Sequence, residues 1–155
     1  MKRSIIAEII IILFMILFIY TGISKWMDYT VFKEQIAESP ALAPFASILA
    51  WILPLTEFIV SILLMIPGQR LKGLYASLTL MIIFTVYVIV LTTSNDQLPC
   101  SCGGVLAELS WPQHIIFNIV FIVLAIIGIL LEKKIKLQNE KHKEWQTISS
   151  EKINT

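Results

Sequence analysis

Charge is what this sequence is short of. Only 15% of its 155 residues are Asp, Glu, Lys or Arg, where a soluble domain carries about a quarter. A chain so poor in charge cannot solvate a whole surface, which excludes a soluble domain as its main body. The few charges lie at the two ends and in short breaks between apolar runs, the pattern of a chain whose surface mostly faces lipid. The formal net charge is +1 and no basic stripe is present, which excludes nucleic-acid binding. Period-two alternation is absent as well, and that excludes a transmembrane barrel. No small-x-small cleavage site follows the first apolar run. That run, Ile5 to Ile23, is longer than a signal core, contains Glu8 and leads into Tyr20-Thr21-Gly22-Ile23-Ser24-Lys25-Trp26. We therefore read it as a retained span rather than a removed signal.

What the sequence does have is hydrophobic length: 57% of its residues are hydrophobic and the mean hydropathy is +0.81. Crossing roughly 30 Å of hydrocarbon takes about 20 apolar residues, and four windows meet that rule. They run from Ile5 to Ile23, Leu42 to Ile66, Leu74 to Thr92 and Gln113 to Leu131. Without water to satisfy the backbone, continuous apolar spans must be helices. The expected fold is therefore all-α, a four-helix transmembrane bundle. Pro67-Gly68 makes the connection of spans two and three short, so these two form an antiparallel hairpin. Pro44 and Pro54 are expected to bend or irregularise the second span. Between the first two spans, Trp26, Tyr29, Val31, Phe32 and Ile36 mix with charges, which predicts a short amphipathic helix on the membrane surface, ended by Ser39-Pro40. Residues 1–131 make the membrane domain. Residues 132–155 make a charged tail, expected as a fraying helical extension that passes into disorder.

Basic residues set the orientation. Lys2 and Arg3 precede the first span, Arg70 and Lys72 lie between the second and third, and Lys133, Lys134 and Lys136 follow the fourth. The positive-inside rule places these segments, and so both termini, in the cytoplasm. Opposite lie the segment from Lys25 to Ala41 and the segment from Thr93 to Pro112, the second with no Lys or Arg. Lys25 and Lys33 run against the rule but are outweighed. The expected location is the cytoplasmic (inner) membrane of a bacterium.

Chemistry is offered first by Cys100 and Cys102, the only two cysteines, in the extracytoplasmic segment Leu98-Pro99-Cys100-Ser101-Cys102-Gly103-Gly104. Extracytoplasmic thiols meet an oxidising compartment. A bridge between residues i and i+2 lies near the upper limit of disulfide separation and demands an unusual backbone, which Gly103 and Gly104 can supply. So small a ring removes little chain entropy, so it staples poorly and exchanges readily. A redox pair is our first reading. An inert bridge or a soft-metal site holding Cu(I) with help from His114 stays open; a zinc site lacks its four ligands.

Three further positions draw notice. His114 and Asn118 are four residues apart and share one helix face near the cysteine segment, where His114 can favour a thiolate or accept a thiol proton. Their bland reading is an interfacial His and an Asn that bonds a neighbouring helix. Ser110 is a candidate cap for that helix, with Trp111 as its interface anchor. Glu57 lies mid-way along the second span, where a carboxyl must face the bundle interior, pair, or stay protonated and is a functional candidate by default. Its bland reading is a protonated Glu bonding a facing Tyr, Asn or backbone carbonyl. Lys25 reads as an interface anchor beside Trp26, free to pair with Asp28. Glu8 is expected to snorkel or to meet Arg70 or Lys72.

These residues resemble the methylamine utilisation MauE family, within the broader DoxX-like membrane proteins. The resemblance runs from about Ile9 to Leu131. Gly22-x-x-Lys25-x-x-Asp28 looks like that family's signature closing the first span, joined by Leu53-Pro54-x-x-Glu57 and by the dithiol segment leading to Leu109-Ser110-Trp111 and Asn118. Members usually show Cys-Gly-Cys-Phe-Gly, from which Ser101 and Gly103 depart. The resemblance implies a redox-associated membrane protein working with a thioredoxin-like partner in extracytoplasmic disulfide formation, as in maturing the disulfide-rich small subunit of methylamine dehydrogenase. Cys100 and Cys102 would be the redox pair, with Lys25, Glu57, His114 and Asn118 in support. With no second cysteine pair to relay electrons across the membrane, a quinone or the partner must take them. A non-catalytic scaffold for a secreted complex is the reading from a different class.

The orientation is directly testable. After mild reduction of intact cells, a membrane-impermeant maleimide should label Cys100 and Cys102 from outside. Labelling only after the cells are opened would reverse the assignment.

Overall fold

A computed structural model describes residues 5–38, 42–93 and 111–153. They form α1 (Ile5–Met27), α2 (Tyr29–Glu38), a 3-10 turn (Ala43–Phe45), α3 (Ala46–Met65), α4 (Arg70–Thr93) and α5 (Trp111–Ile153), with no strand among the described residues. Four of the helices are long and apolar enough to cross a membrane, as the four windows led us to expect. α1 packs chiefly on α3, α3 also on α4, and α4 chiefly on α5, while α5 returns to α1. The four long helices thus stand in a ring, with α1 and α4 nearly diagonal. For orientation, the end of the bundle where α1 starts is the Glu8 end, and the opposite one is the Lys25 end.

Lipid is as apolar as leucine, so helices here associate by close packing rather than by hiding oil from water. α1 shows how. Ala7, Ile10, Ile11, Phe14, Leu17, Phe18, Thr21, Gly22 and Lys25 are buried at helical spacing, while Ile5, Ile6, Ile9, Ile12, Leu13 and Ile16 stand exposed on the other face. The core continues through Val60 and Leu64 of α3, Leu74, Leu80 and Met81 of α4, and Ala125 and Ile129 of α5. Phe14 stacks with Phe18 at 5.9 Å and meets Phe121 edge-on at 5.3 Å between ring centroids. Such aromatic pairs add about 0.5–1.5 kcal/mol each beyond their area.

Two glycines set how near the helices come. A Cβ at Gly73 would lie 2.9 Å from Leu64 Cδ2 and 3.0 Å from the Leu64 backbone nitrogen, so α4 touches the backbone of α3 there. A Cβ at Gly128 would lie 3.1 Å from Ile10 Cγ2 and 3.2 Å from Leu74 Cδ2, where α5 meets α1 and α4. Buried hydroxyls are satisfied within their own helices: Thr21, Ser61, Ser77 and Thr85 each donate to the carbonyl four residues earlier.

Several expectations are refined. The α3–α4 connection is as short as Pro67-Gly68 implied, closed by the Gln69 N–H donating to the Ile66 carbonyl at 2.9 Å. Pro44 falls in the 3-10 turn, and Pro54 is inside α3, which continues through it. The surface helix exists as α2, but it does not merely rest on lipid. Ile36 is buried against Ala46 and Ala50, with Phe32 and Leu49 around them, so α2 is fastened to the start of α3. α5 runs without interruption past Leu131 to Ile153, through the stretch where composition suggested fraying and then disorder.

Gly73→Ala should force α4 away from α3 and destabilise the bundle by about 1–3 kcal/mol, the range for overpacking. Unfolding of the purified protein in mixed detergent micelles measures this. Gly68→Ala, which has nothing within 4 Å, is the control and should be close to neutral.

Candidate functional site

Two ion pairs hold α1 at its ends. At the Glu8 end, Arg70 Nη1 donates to Glu8 Oε1 at 2.6 Å, with both side chains partly exposed. Glu8 therefore meets Arg70, one of the two partners expected for it. At the other end, Lys25 Nζ donates to Glu57 Oε1 at 2.5 Å. These side chains are 6% and 0% exposed, so this second pair is wholly enclosed. Along α1 the two anchoring residues are separated by about 25 Å at 1.5 Å per residue, close to the depth of the hydrocarbon layer.

The Lys25–Glu57 pair corrects one sequence expectation and narrows another. Lys25 is not an interface anchor and does not turn to Asp28; it points inward, because Glu57 on the neighbouring helix is otherwise an uncompensated charge in lipid. Of the options open to Glu57, pairing holds: its partner is the Lys25 cation and not the Tyr, Asn or carbonyl of the bland reading. The local sequence allows this. Thr21 and Gly22 precede Lys25 by one turn on the same buried face, and Gly22 leaves room for Phe58, whose ring would sit 3.1 Å from a Cβ there. Two rings complete the surroundings of the ammonium, Phe84 of α4 at 5.3 Å and Phe32 of α2 at 5.8 Å from ring centroid to Nζ. Lys25 thereby draws α1, α2, α3 and α4 to one point. The opposite charges gave the signal that sequence reasoning passed over: a buried Glu in one span and a Lys at the end of another compensate each other. The nearer Asp28 masked it.

His114 and Asn118 are both 3% exposed on the inner face of α5. Gly128 touches Ile10, and α5 runs opposite to α1. At about 1.5 Å rise per residue, Asn118 therefore comes level with Thr21, and His114 with Lys25. The interior of the Lys25 end is thus a polar layer drawn from four helices: Thr21 and Lys25, Glu57 and Ser61, Thr85, and His114 with Asn118. Among the described residues, Glu57 Oε2 and Asn118 Nδ2 are buried without a hydrogen-bond partner, one an acceptor and the other a donor. Outside this layer, Trp26, Tyr29 and Trp51 form an aromatic cluster, with centroids 5.5 Å apart for Trp26–Trp51 and 5.6 Å for Tyr29–Trp51. With Ala50, Pro54 and Leu55 they line a cavity of about 440 Å³.

Cys100, Cys102 and Ser110 lie outside the described residues. The segment that carries them joins the end of α4 to the start of α5, and both of those points are at the Lys25 end. Among the described residues, no three His, Cys, Asp or Glu side chains gather in a metal-binding group.

The family model of the methylamine utilisation protein MauE matches residues 3–131. This chain belongs to the MauE family. The match covers all four spans and stops at Leu131, where α5 leaves its apolar stretch, so the polar extension of this MauE-family protein falls outside the shared domain. No curated protein matches the chain. No solved structure matches it either.

Removing one partner of the enclosed pair leaves an unpaired charge in a medium that cannot solvate it. Glu57→Gln or Lys25→Met alone should cost about 3–5 kcal/mol, and the Lys25→Met/Glu57→Gln double variant should recover much of it. A double-mutant cycle on unfolding in detergent checks this. Additive losses would mean that the two side chains do not interact.

Proposed function

We propose that this MauE-family membrane protein is a thiol–disulfide exchange factor, with Cys100 and Cys102 as its redox pair and a thioredoxin-like extracytoplasmic protein as its partner. The observation that carries this reading is the enclosed Lys25–Glu57 pair with His114 and Asn118. Ionisable groups inside a membrane are costly and mark functional sites by default, and this set lies at the bundle end to which the cysteine segment is tethered. The DoxX-like kinship suggested by the sequence points the same way.

In the direction of disulfide formation, a partner thiolate attacks the Cys100–Cys102 disulfide. One sulfur–sulfur bond forms, the other breaks, and the released cysteine leaves as a thiolate that takes up a proton. The second partner thiol, losing its proton, resolves the mixed disulfide. The partner is then oxidised by two electrons and the Cys100/Cys102 pair reduced by two. Those electrons must leave through a further acceptor of the quinone class or by exchange with another disulfide, since the chain holds only two cysteines. In this reading His114, level with Lys25 at the start of α5, takes or returns the thiol proton. Lys25 and Glu57 keep the helix ends that carry the dithiol segment in register. Lipid surrounds the bundle, the membrane is the bacterial inner membrane, and the dithiol faces outward.

Cys100→Ala or Cys102→Ala should trap a mixed disulfide with the thioredoxin-like partner, seen as a band that disappears on reduction. The Cys100→Ser/Cys102→Ser variant should lose the ability to restore client disulfides in a deletion strain. Full complementation by that double variant would sink the redox reading and leave a scaffold.

A further inference from the structure

α5 continues for 22 residues beyond the apolar span, over 132–153, or roughly 33 Å as a straight helix. Nothing described packs on its far half, yet three large apolar side chains stand on it in the open. Leu137 is 59% exposed, Trp145 76% and Ile148 48%. At about 100° per residue, Leu137, Lys141, Trp145 and Ile148 fall within roughly 80° of arc, and Lys134 lies in the same sector. Of the glutamates of this stretch, Glu132 lies on the opposite side of the helix, Glu140 lies about 60° beyond Leu137, and Glu144 borders the arc about 20° beyond it. The sector itself therefore holds apolar and basic side chains together, and Glu144 lies along its edge.

We infer that the stripe Lys134–Leu137–Lys141–Trp145–Ile148 is a membrane-surface docking face that binds the anionic phospholipid headgroups at the Glu8 end of the bundle. Charge complementarity selects this occupant. A parallel second copy would set Lys134 and Lys141 near their own counterparts at the seam, whereas a headgroup layer attracts the lysines and takes the Trp and the aliphatic side chains into the acyl boundary. The surface is within reach, because the span itself delivers the extension to it. Lying down requires the helix to open by about one turn between Leu131 and Lys136. At headgroup depth water can satisfy the carbonyls and N–H groups so released, which hydrocarbon cannot. Lys72 at the same end would share those lipids, Arg70 being engaged by Glu8. The site is separate from the polar layer, so the inference stands or falls independently of the redox reading.

The test uses the full chain in nanodiscs of phosphatidylcholine alone or rich in phosphatidylglycerol, carrying brominated acyl chains. Quenching assignable to Trp145, by difference from Trp145→Phe, should appear in the anionic discs and be weak in the neutral ones. Trypsin cleavage after Lys143 should slow in the anionic discs by at least about five-fold, the share that one surface lysine supplies. Lys134→Gln/Lys141→Gln should abolish the dependence on lipid charge, and Leu137→Ser/Ile148→Ser should weaken the protection while leaving the bundle intact. Equal quenching and equal cleavage in both lipids would overturn the proposal. So would protection that ignores lipid charge and rises with the number of copies per disc, which would assign the stripe to a second copy.

Discussion

A charge inside a bilayer has to be answered by another, and the packing of the Lys25 end follows from that requirement. Glu57 is completely enclosed, and the compensating cation comes from the end of a different helix. For Nζ of Lys25 to reach it, α1 must lie against α3 at one height and one rotation. The same ammonium faces Phe32 and Phe84, so α2 and α4 are drawn into the arrangement. Such a pair contributes little net stability once desolvation is counted. What it supplies is a unique register among helices whose apolar surfaces would otherwise slide.

That role matters because the usual guide to helix orientation is missing. In water, the apolar stripe of a helix marks the core. Here the lipid-facing side of α1, with Ile9, Ile12 and Ile16, is as apolar as the side that packs. The interior is marked instead by small and polar residues: Thr21 and Gly22 on α1, Ser61 on α3, Gly73, Ser77 and Thr85 on α4, Asn118 and Gly128 on α5. Glycines admit close backbones and hydroxyls bond back into their own helices, so small and polar residues fit among the apolar core of Phe14, Phe18, Leu64 and Leu74.

The polar layer and the helix ends that the dithiol segment joins share one end of the bundle for topological reasons. α3 and α4 cross the bundle in opposite directions, so α4 ends and α5 begins at the Lys25 end. The start of α5 there carries His114, level with the enclosed charge pair. The opposite end is different in kind. Its Arg70–Glu8 pair is partly exposed, and the long extension of α5 leaves from it.

Four spans, their approximate limits, the short hairpin at Pro67-Gly68 and the helical nature of the whole were legible in the chain because hydrocarbon imposes a length and forbids an unsatisfied backbone. Glu57 and Glu8 were legible as inward or paired residues for the same reason. The partner of Glu57 was not: a window of sequence carries no information about which helix stands beside it, and Asp28, three residues from Lys25, offered a nearer answer. Nor could composition tell that α2 fastens onto α3 through Ile36, or that α5 stays helical through its polar end. The sequence by itself determined that this is a membrane-spanning helical chain with one dithiol, since length and apolarity act residue by residue. Tertiary structure alone decided that Lys25 turns inward to Glu57 and that His114 and Asn118 share its layer, since those relations depend on how separate helices are rotated and stacked.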